Sequence, residues 1–150
     1  MSEEFVGSGW AAFPMRTDPT GAIALVSREQ ELEEAMRVVM ATAPGERPMR
    51  PEFGCGIHDY VFAPADATTA GLIAYEVRAS LLRWEPRVEI KDVDVRPDPD
   101  DPSTMLIEIK YTVKDTNDPR NLVFPFYVIP AEEGSDSTRA LPVTTGSTEE

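Results

Sequence analysis

The spacing of apolar residues changes at Glu85-Pro86-Arg87, and this change limits the folds open to the chain. Before it, apolar residues recur every three or four positions, which predicts amphipathic helices. After it they alternate, which predicts strands. Because a proline disfavours the helical conformation of the preceding residue, we expect Glu85 to be extended or in a turn. The predicted class is α+β: two main helices packed on a small antiparallel or mixed β-sheet, with an extended N-terminal arm and a disordered acidic C-terminal tail.

Two segments before residue 85 carry helix signals. The first follows Ser27, a capping residue with Gln30 three positions on, and ends before Ala43-Pro44-Gly45. The second follows the capping residue Asp66 and runs to about Trp84. The expected apolar faces are Leu32, Ala35, Met36, Val39 and Met40 on the first helix, and Ala70, Ile73, Ala74, Val77, Leu81 and Trp84 on the second.

The first predicted strand contains a change of phase. Val88 and Ile90 alternate in one phase, and Val93 and Val95 alternate in the other. A β-bulge near residues 91–92 would keep all four on one face, so we predict a bulge there.

The two remaining strands differ in their patterns. Residues 105–113 alternate regularly, as in a half-buried strand. Residues 121–129 are apolar on both faces and include Pro125, which predicts an edge strand or a proline nitrogen that faces away from its neighbour. An apolar edge strand is an aggregation hazard unless another chain covers it, so we expect a partner's strand to pair here.

Residues 45–64, between the predicted helices, contain three prolines, three glycines and several large apolar residues. Prolines fix φ and glycines permit positive φ, so the path of this segment is specified. A flexible linker would be rich in Gly and Ser and poor in aromatics. We therefore expect an ordered, packed connector whose charged residues form internal ion pairs or a surface for a partner.

The chain has 150 residues and a formal net charge of −13. We expect an arm over residues 1–21, one α+β domain over 22–130 and a flexible acidic tail over 131–150. The negative charge disfavours nucleic acid and anionic membranes as partners. The single cysteine excludes an internal disulfide, and neither a signal peptide nor a membrane span is found, so a soluble cytoplasmic protein is expected.

The sequence offers no convincing catalytic, metal or cofactor site. Cys55 and His58 are the only Cys and His, whereas a structural zinc normally takes four such ligands. The acidic loop over residues 98–101 lacks the glycine and the closing glutamate of a calcium loop. We expect a protein without a cofactor that is not an enzyme.

Glu85 has the most restricted setting of the carboxylates, because Pro86 and Arg87 follow it. A glycosidase needs one carboxylic acid that stays protonated in an apolar pocket. A neighbouring arginine favours the ionised form instead, which suits a paired clamp at a helix end or an interface. A peptidoglycan glycosidase, of the lysozyme type, is the alternative function.

Five segments carry a family resemblance. They are GSGWAAFPMR (residues 7–16), GAIALVS (21–27), PGERPMRPEFGCGIHDYVFAP (44–64), RWEPRVEIKDVDV (83–95) and NLVFPFYV (121–128). Together they resemble the gene-25-like (GPW) baseplate proteins of contractile phage tails, type VI secretion systems and extracellular injection systems. Glu85-Pro86-Arg87 is similar to the EPR motif of that family.

The resemblance implies a structural protein of the inner baseplate that bridges wedge subunits to the first sheath ring and helps to start sheath assembly. Wedge proteins and sheath subunits are the implied partners, with tube or spike hub proteins as further candidates. The family's old lysozyme label has no support in these residues. We assign the wedge contact to Glu85, Pro86, Arg87, Arg47, Arg50 and Phe53, and the sheath contact to the edge strand through Leu122, Val123, Phe124, Phe126, Tyr127 and Val128.

Overall fold

The computed structural model describes residues 10–11, 15–26 and 28–129. The elements in chain order are β1 (Trp10–Ala11), β2 (Leu25–Val26), α1 (Arg28–Ala41), a 3₁₀ helix (Gly56–Tyr60), α2 (Ala67–Trp84), β3 (Val88–Pro97), β4 (Thr104–Val113) and β5 (Asp118–Tyr127). The last three strands form one antiparallel sheet with β4 in the centre, and β1 pairs with β2. The predicted α+β class is confirmed. Ser27, most of the predicted arm and the predicted tail lie outside the described residues.

Both helices bury the apolar faces that their spacing predicts. The least exposed side chains, at 3 % or below, are Leu32, Met36, Val39 and Met40 on α1 and Ile73, Val77 and Leu81 on α2. They form one core with the inward side chains of the sheet, among them Met105, Ile107, Ile109 and Tyr111. The two helices therefore cover the same face of the sheet.

Asp66 begins α2 as the sequence predicts. Its carboxylate Oδ1 accepts a hydrogen bond from the Thr69 backbone N–H at 2.8 Å, which satisfies one donor of the first helical turn. Among the residues that the structure describes, no helix is long and apolar enough to cross a membrane.

The predicted bulge in β3 is confirmed. The register against β4 shifts between Ile90 and Asp92, so Lys91 is left without a residue opposite it. As a result Val93 and Val95 pack against the same core as Val88.

Among the strands of the described residues, β5 lies at an edge of the sheet, as predicted. Pro125 lies opposite Leu106, and Pro119 lies opposite Thr112. A proline has no N–H, so neither pair can exchange two backbone hydrogen bonds. Both must therefore be non-hydrogen-bonded pairs of the antiparallel ladder. The two proline nitrogens therefore face the free edge of the sheet.

The connector is ordered, but it packs unevenly. Cys55 and Ile57 are fully buried, while Met49 is 93 % exposed and Phe62 is 76 % exposed. The expectation of a packed segment is therefore wrong for these last two residues. The reason is that both residues lie in turns closed by local backbone bonds: the Arg50 N–H donates to the Arg47 carbonyl at 3.1 Å around Met49, and the Ala63 N–H donates to the Tyr60 carbonyl at 3.0 Å around Phe62. Such turns hold a chain in place without burying each apolar side chain.

Candidate functional site

Glu85 and Arg87 form a two-point ion pair at the end of α2. The Arg87 guanidinium donates from Nε to Glu85 Oε1 at 2.6 Å and from Nη2 to Glu85 Oε2 at 2.8 Å. Glu85 has left the helical conformation, with φ −126° and ψ 74°, as expected of a residue before proline. Its backbone N–H still donates to the Leu81 carbonyl at 2.9 Å, so the carboxylate stays fixed against the helix end. Glu85 is only 4 % exposed.

A third residue, Glu31 of α1, completes this cluster. Arg87 Nη1 donates to Glu31 Oε1 at 2.8 Å, which ties α1 to the junction between α2 and β3. The hydrogen bonds to Glu85, with a smaller contribution from Glu31, raise the pKa of Arg87 above its ordinary value and keep the guanidinium charged. We call Glu31, Glu85 and Arg87 the clamp.

The clamp is only partly closed to solvent. The side chain of Arg87 is 36 % exposed, compared with 12 % for Glu31 and 5 % for Glu85. A guanidinium has five N–H donors, and the two carboxylates take three of them. The exposed edge of Arg87 therefore has donors available for another molecule.

The predicted wedge residues Arg47 and Phe53 lie near the clamp. They are connected to it by Trp84, the last residue of α2. The rings of Phe53 and Trp84 are 5.1 Å apart at an interplanar angle of 57°, a favourable tilted arrangement. The Arg47 guanidinium lies 4.1 Å from the centre of the Phe53 ring, and that of Arg83 lies 4.8 Å from the Trp84 ring. The two adjacent rings are thus flanked by an arginine on each side, Arg47 from the connector and Arg83 from the end of α2.

Arg50 occupies a different position from its neighbours in the connector. It is exposed, and its backbone N–H donates to the Arg47 carbonyl. Its own carbonyl accepts from the Phe53 N–H at 3.0 Å. The backbone of Arg50 therefore holds Arg47 and Phe53 in one turn, and its side chain faces solvent.

The predicted sheath residues of β5 divide into an inner and an outer set. Leu122, Phe126 and Val128 are 2 %, 5 % and 4 % exposed and belong to the core, and Phe124 is half-buried against it. Val123 and Tyr127 face outward with 44 % and 66 % exposure. A partner at this edge would meet the outer pair and the backbone.

Cys55 and His58 lie in different surroundings. Cys55 is fully buried, and burial raises the pKa of its thiol. His58 Nε2 lies 3.2 Å from the Met40 carbonyl oxygen, an acceptor at the end of α1. Among the described residues, no group of three or more acidic, Cys or His side chains is arranged to hold a metal ion.

Glu31, Arg83 and Trp84 are the members of this region that sequence analysis did not assign to it. Glu31 is 56 positions from Arg87, and its acidic neighbours in the first turn of α1 look equivalent in sequence. Trp84 could have been found, since it directly precedes Glu85 and ends the apolar face of α2.

Solved structures define the class of protein first. A crystal structure of a presumed tail lysozyme from Geobacter sulfurreducens is 46 % identical, with a TM-score of 0.67 over 73 % of this chain and 99 % of that one. A chain in the baseplate of the anti-feeding prophage is 28 % identical, with a TM-score of 0.59 over 84 % and 89 %. A chain in the type VI secretion baseplate shares the fold, at 19 % identity and a TM-score of 0.51. The class is that of baseplate proteins of contractile injection systems.

Sequence comparison then gives the family. Residues 26–118 match the family described as baseplate wedge protein gp25. The gp25 protein of Enterobacteria phage T4 is 30 % identical over 89 residues, which cover 59 % of this chain and 67 % of that protein. The chain belongs to this family, and it is a baseplate wedge component of a contractile injection system.

Proposed function

We propose that this protein bridges inner wedge subunits to the first ring of sheath subunits and starts sheath assembly. The observation that carries the proposal is that two exposed surfaces lie toward opposite ends of the same sheet. One surface is the clamp with the neighbouring connector. The other is the outer part of β5.

The strand register gives the separation between the two surfaces. Arg87 precedes β3, whose first residue Val88 pairs with Val113, and Val113 pairs with Asp118 at the start of β5. Tyr127, at the far end of β5, pairs with Thr104. At roughly 3.3 Å per residue, Val123 and Tyr127 lie about 15 to 30 Å along the sheet from the clamp end. Two partners can therefore bind at the same time.

The wedge contact uses donors that the fold holds in place. Because two carboxylates fix the Arg87 guanidinium, its exposed N–H groups need little further ordering to meet a carbonyl or carboxylate of a wedge subunit. Arg47, Arg50 and Phe53 extend this surface along the connector, and Arg50 supplies an exposed positive charge. Glu85 and Pro86 act through the position that they give to Arg87.

The sheath contact uses the free edge of β5. Residues that share the phase of Pro125 direct their backbone groups outward, so Asn121, Val123 and Tyr127 offer N–H donors to an incoming strand. Pro119 and Pro125 offer none. The prolines therefore limit the registers in which a sheath strand can pair, which suits a contact that must form only with its own partner.

A particle-assembly experiment tests both contacts. Arg50→Glu is expected to give a folded protein that is missing from purified baseplates, while Arg37→Glu, an equally charged change on the exposed side of α1, assembles normally. Tyr127→Asp is expected to give baseplates that carry no sheath in electron micrographs, and Phe62→Asp serves as its exposed control. Complete particles with Arg50→Glu would refute the wedge contact, and full-length sheaths with Tyr127→Asp would refute the sheath contact.

The glycosidase alternative has a separate test. The name of the Geobacter relative keeps it open, but Glu85 is 4 % exposed and bonded at both carboxylate oxygens to Arg87, which favours a structural carboxylate. If the alternative were right, the isolated protein would hydrolyse purified peptidoglycan and Glu85→Gln would abolish that activity. We expect no turnover from either protein.

A further inference from the structure

The solvent-facing side of α2 is apolar. Leu72, Tyr75 and Leu82 are 47 %, 69 % and 57 % exposed, on the side of the helix opposite the buried Ile73, Val77 and Leu81. A helix that is apolar all round is normally buried on all sides. On α1, by comparison, the exposed positions include Glu29, Gln30 and Arg37. The composition of α2 is thus unlike that of the other helix in the same fold.

The exposed residues of α2 have a regular spacing. Thr68, Leu72, Tyr75, Ala79 and Leu82 are all exposed, and the steps between them are four, three, four and three residues. Alternating steps of four and three keep side chains in a single line along a helix, which is the pattern of a coiled-coil contact. We call these five residues the α2 seam.

The charged side chains of α2 lie beside the seam. Glu76 lies next to Gly56 of the 3₁₀ helix, and Arg78 donates from Nη2 to the Lys91 carbonyl at 3.3 Å. Arg83 lies over the Trp84 ring. The connector therefore borders one side of the seam and β3 borders the other, and no charged residue interrupts the seam itself.

A cleft opens beside the middle of the seam. It has a volume of about 350 Å³ and lies between the connector and α2, with Ala79, Arg83 and Gly56 in its walls. Ala79 is the small residue between the larger Tyr75 and Leu82. A partner's large side chain can enter at this gap, as a knob enters a hole between four residues of a facing helix.

The charges favour a helix from another protein over a second copy of this chain. Two copies would each carry a formal net charge of −13, which opposes their association. Of the charged side chains of α2 beside the seam, Arg78 and Arg83 are basic and Glu76 is acidic, while the connector adds Glu52 to the wall of the cleft. The two arginines favour a partner with acidic residues beside its own apolar line at the positions that face them. The seam also ends at Leu82, next to the Arg83-Trp84 pair that leads into the clamp.

We propose that the α2 seam binds an amphipathic helix of another baseplate subunit, with apolar residues at alternating steps of three and four and acidic residues at their flanks. The proposal rests on the proposed wedge function and extends it from a point contact at Arg87 to a helix-length groove. The partner helix lies along α2 and fills the cleft beside Ala79.

Photo-crosslinking in assembled particles tests the identity of the occupant. Leu72, Tyr75 or Leu82 is replaced, one at a time, by p-benzoylphenylalanine, and Ile23, which is 54 % exposed, is replaced as the control. We expect the three seam positions to link to one segment of one baseplate protein, at sites that advance by three or four residues per helical turn. Links to a second copy of this chain, links scattered over several proteins, or no links above the Ile23 control would each overturn the proposal.

A polar seam variant separates this proposal from the function on which it rests. The triple variant Leu72→Gln, Tyr75→Gln and Leu82→Gln should keep the helical circular dichroism and the melting temperature of the wild type, because all three side chains are exposed. Its incorporation into baseplates should fall at least about tenfold, equivalent to about 1.4 kcal/mol of binding. If this variant enters baseplates normally while the Arg50→Glu variant is missing from them, the seam proposal is overturned and the wedge function stands. Absence of the wild-type chain from baseplates would overturn the wedge function and the seam with it.

Discussion

Arg87 bonds both carboxylate oxygens of Glu85 across a single intervening proline. The pair combines a glutamate that is almost fully buried with an arginine side chain that is 36 % exposed. The loss of Glu85 and the loss of Arg87 therefore have different consequences. Without Glu85 the arginine can turn into solvent, whereas without Arg87 the carboxylate stays buried and unpaired.

The loss of Arg87 should therefore destabilise the fold. We expect Arg87→Ala to lower the free energy of unfolding by about 2 to 3 kcal/mol, less than for a fully buried pair because water reaches the guanidinium. Arg87→Lys keeps the charge but not the two-point geometry, and should cost about 1 kcal/mol. Urea unfolding measures both, and an Arg87→Ala protein as stable as the wild type would contradict the structural role of the clamp.

Phe53 should contribute to stability through Trp84. Phe53→Ala removes a half-buried ring together with its contacts to Trp84 and Arg47, so we expect a loss of about 2 kcal/mol. Met49→Ala, in the same connector, removes a side chain that is 93 % exposed and should change stability by less than about 0.5 kcal/mol. Thermal unfolding of the two variants side by side makes the comparison, and equal effects would mean that the ring contact is not stabilising.

Two glycines should respond in opposite directions to alanine. Gly54 has φ +124°, and a Cβ there would overlap the Thr42 carbonyl oxygen, so Gly54→Ala should cost about 2 kcal/mol or more. Gly71 lies inside α2 with open space around it, so Gly71→Ala should stabilise the protein by about 0.5 to 1 kcal/mol. Chemical denaturation checks both signs. A Gly54→Ala protein as stable as the wild type would show that the backbone at residue 54 can adjust.

Asp66 should make part of the stability dependent on acid pH. The hydrogen bonds from Thr69 lower the pKa of Asp66 below its ordinary value of 3.8. The carboxylate therefore contributes stability above pH 3.8, and this contribution is lost as the pH falls through the lower pKa of the folded state.

Asparagine at position 66 provides the matched control, because it caps a helix comparably without titrating. On acidification from about pH 5 to pH 2, the wild type should lose more stability than Asp66→Asn, while all other carboxyl groups titrate alike in both proteins. Melting curves across that range give the difference. Parallel curves would show that the cap does not couple to protonation.

Pro125 should protect the free edge of β5. Pro125→Thr adds an outward N–H donor and lengthens the stretch of edge open to pairing, so we expect self-association that increases with concentration. Pro99→Thr, in the loop between β3 and β4, is the control and should remain unchanged. Dynamic light scattering distinguishes the two, and a monodisperse Pro125→Thr protein would mean that other features keep the edge unpaired.

Local signals in the sequence were sufficient for much of this fold. The Asp66 cap, the end of α2 before Pro86 and the bulge at Lys91 each depend on residues within a few positions of one another, so pattern alone predicts them. The contact between Arg87 and Glu31 depends on how α1 lies against α2, which local pattern does not specify.

The two faces of β5 show a different limit of prediction. Both faces are apolar, so the hydrophobic pattern does not indicate which phase enters the core, and the structure was needed to separate Leu122 and Phe126 from Val123 and Tyr127. The exposed side of α2 escaped prediction for a related reason. The apolar face that enters the core is sufficient to predict the helix. The second line of apolar residues, the α2 seam, adds nothing to the folding of the isolated chain.

The burial of Cys55 has a practical consequence for experiments on this protein. It is the only cysteine of the chain, it is fully buried, and its thiol resists ionisation because burial raises its pKa. The native thiol should therefore react very slowly with maleimides. A cysteine introduced at any exposed position could then be labelled selectively with a fluorophore or a spin label, without replacing Cys55. Such a label would allow the incorporation of single molecules into a growing particle to be followed.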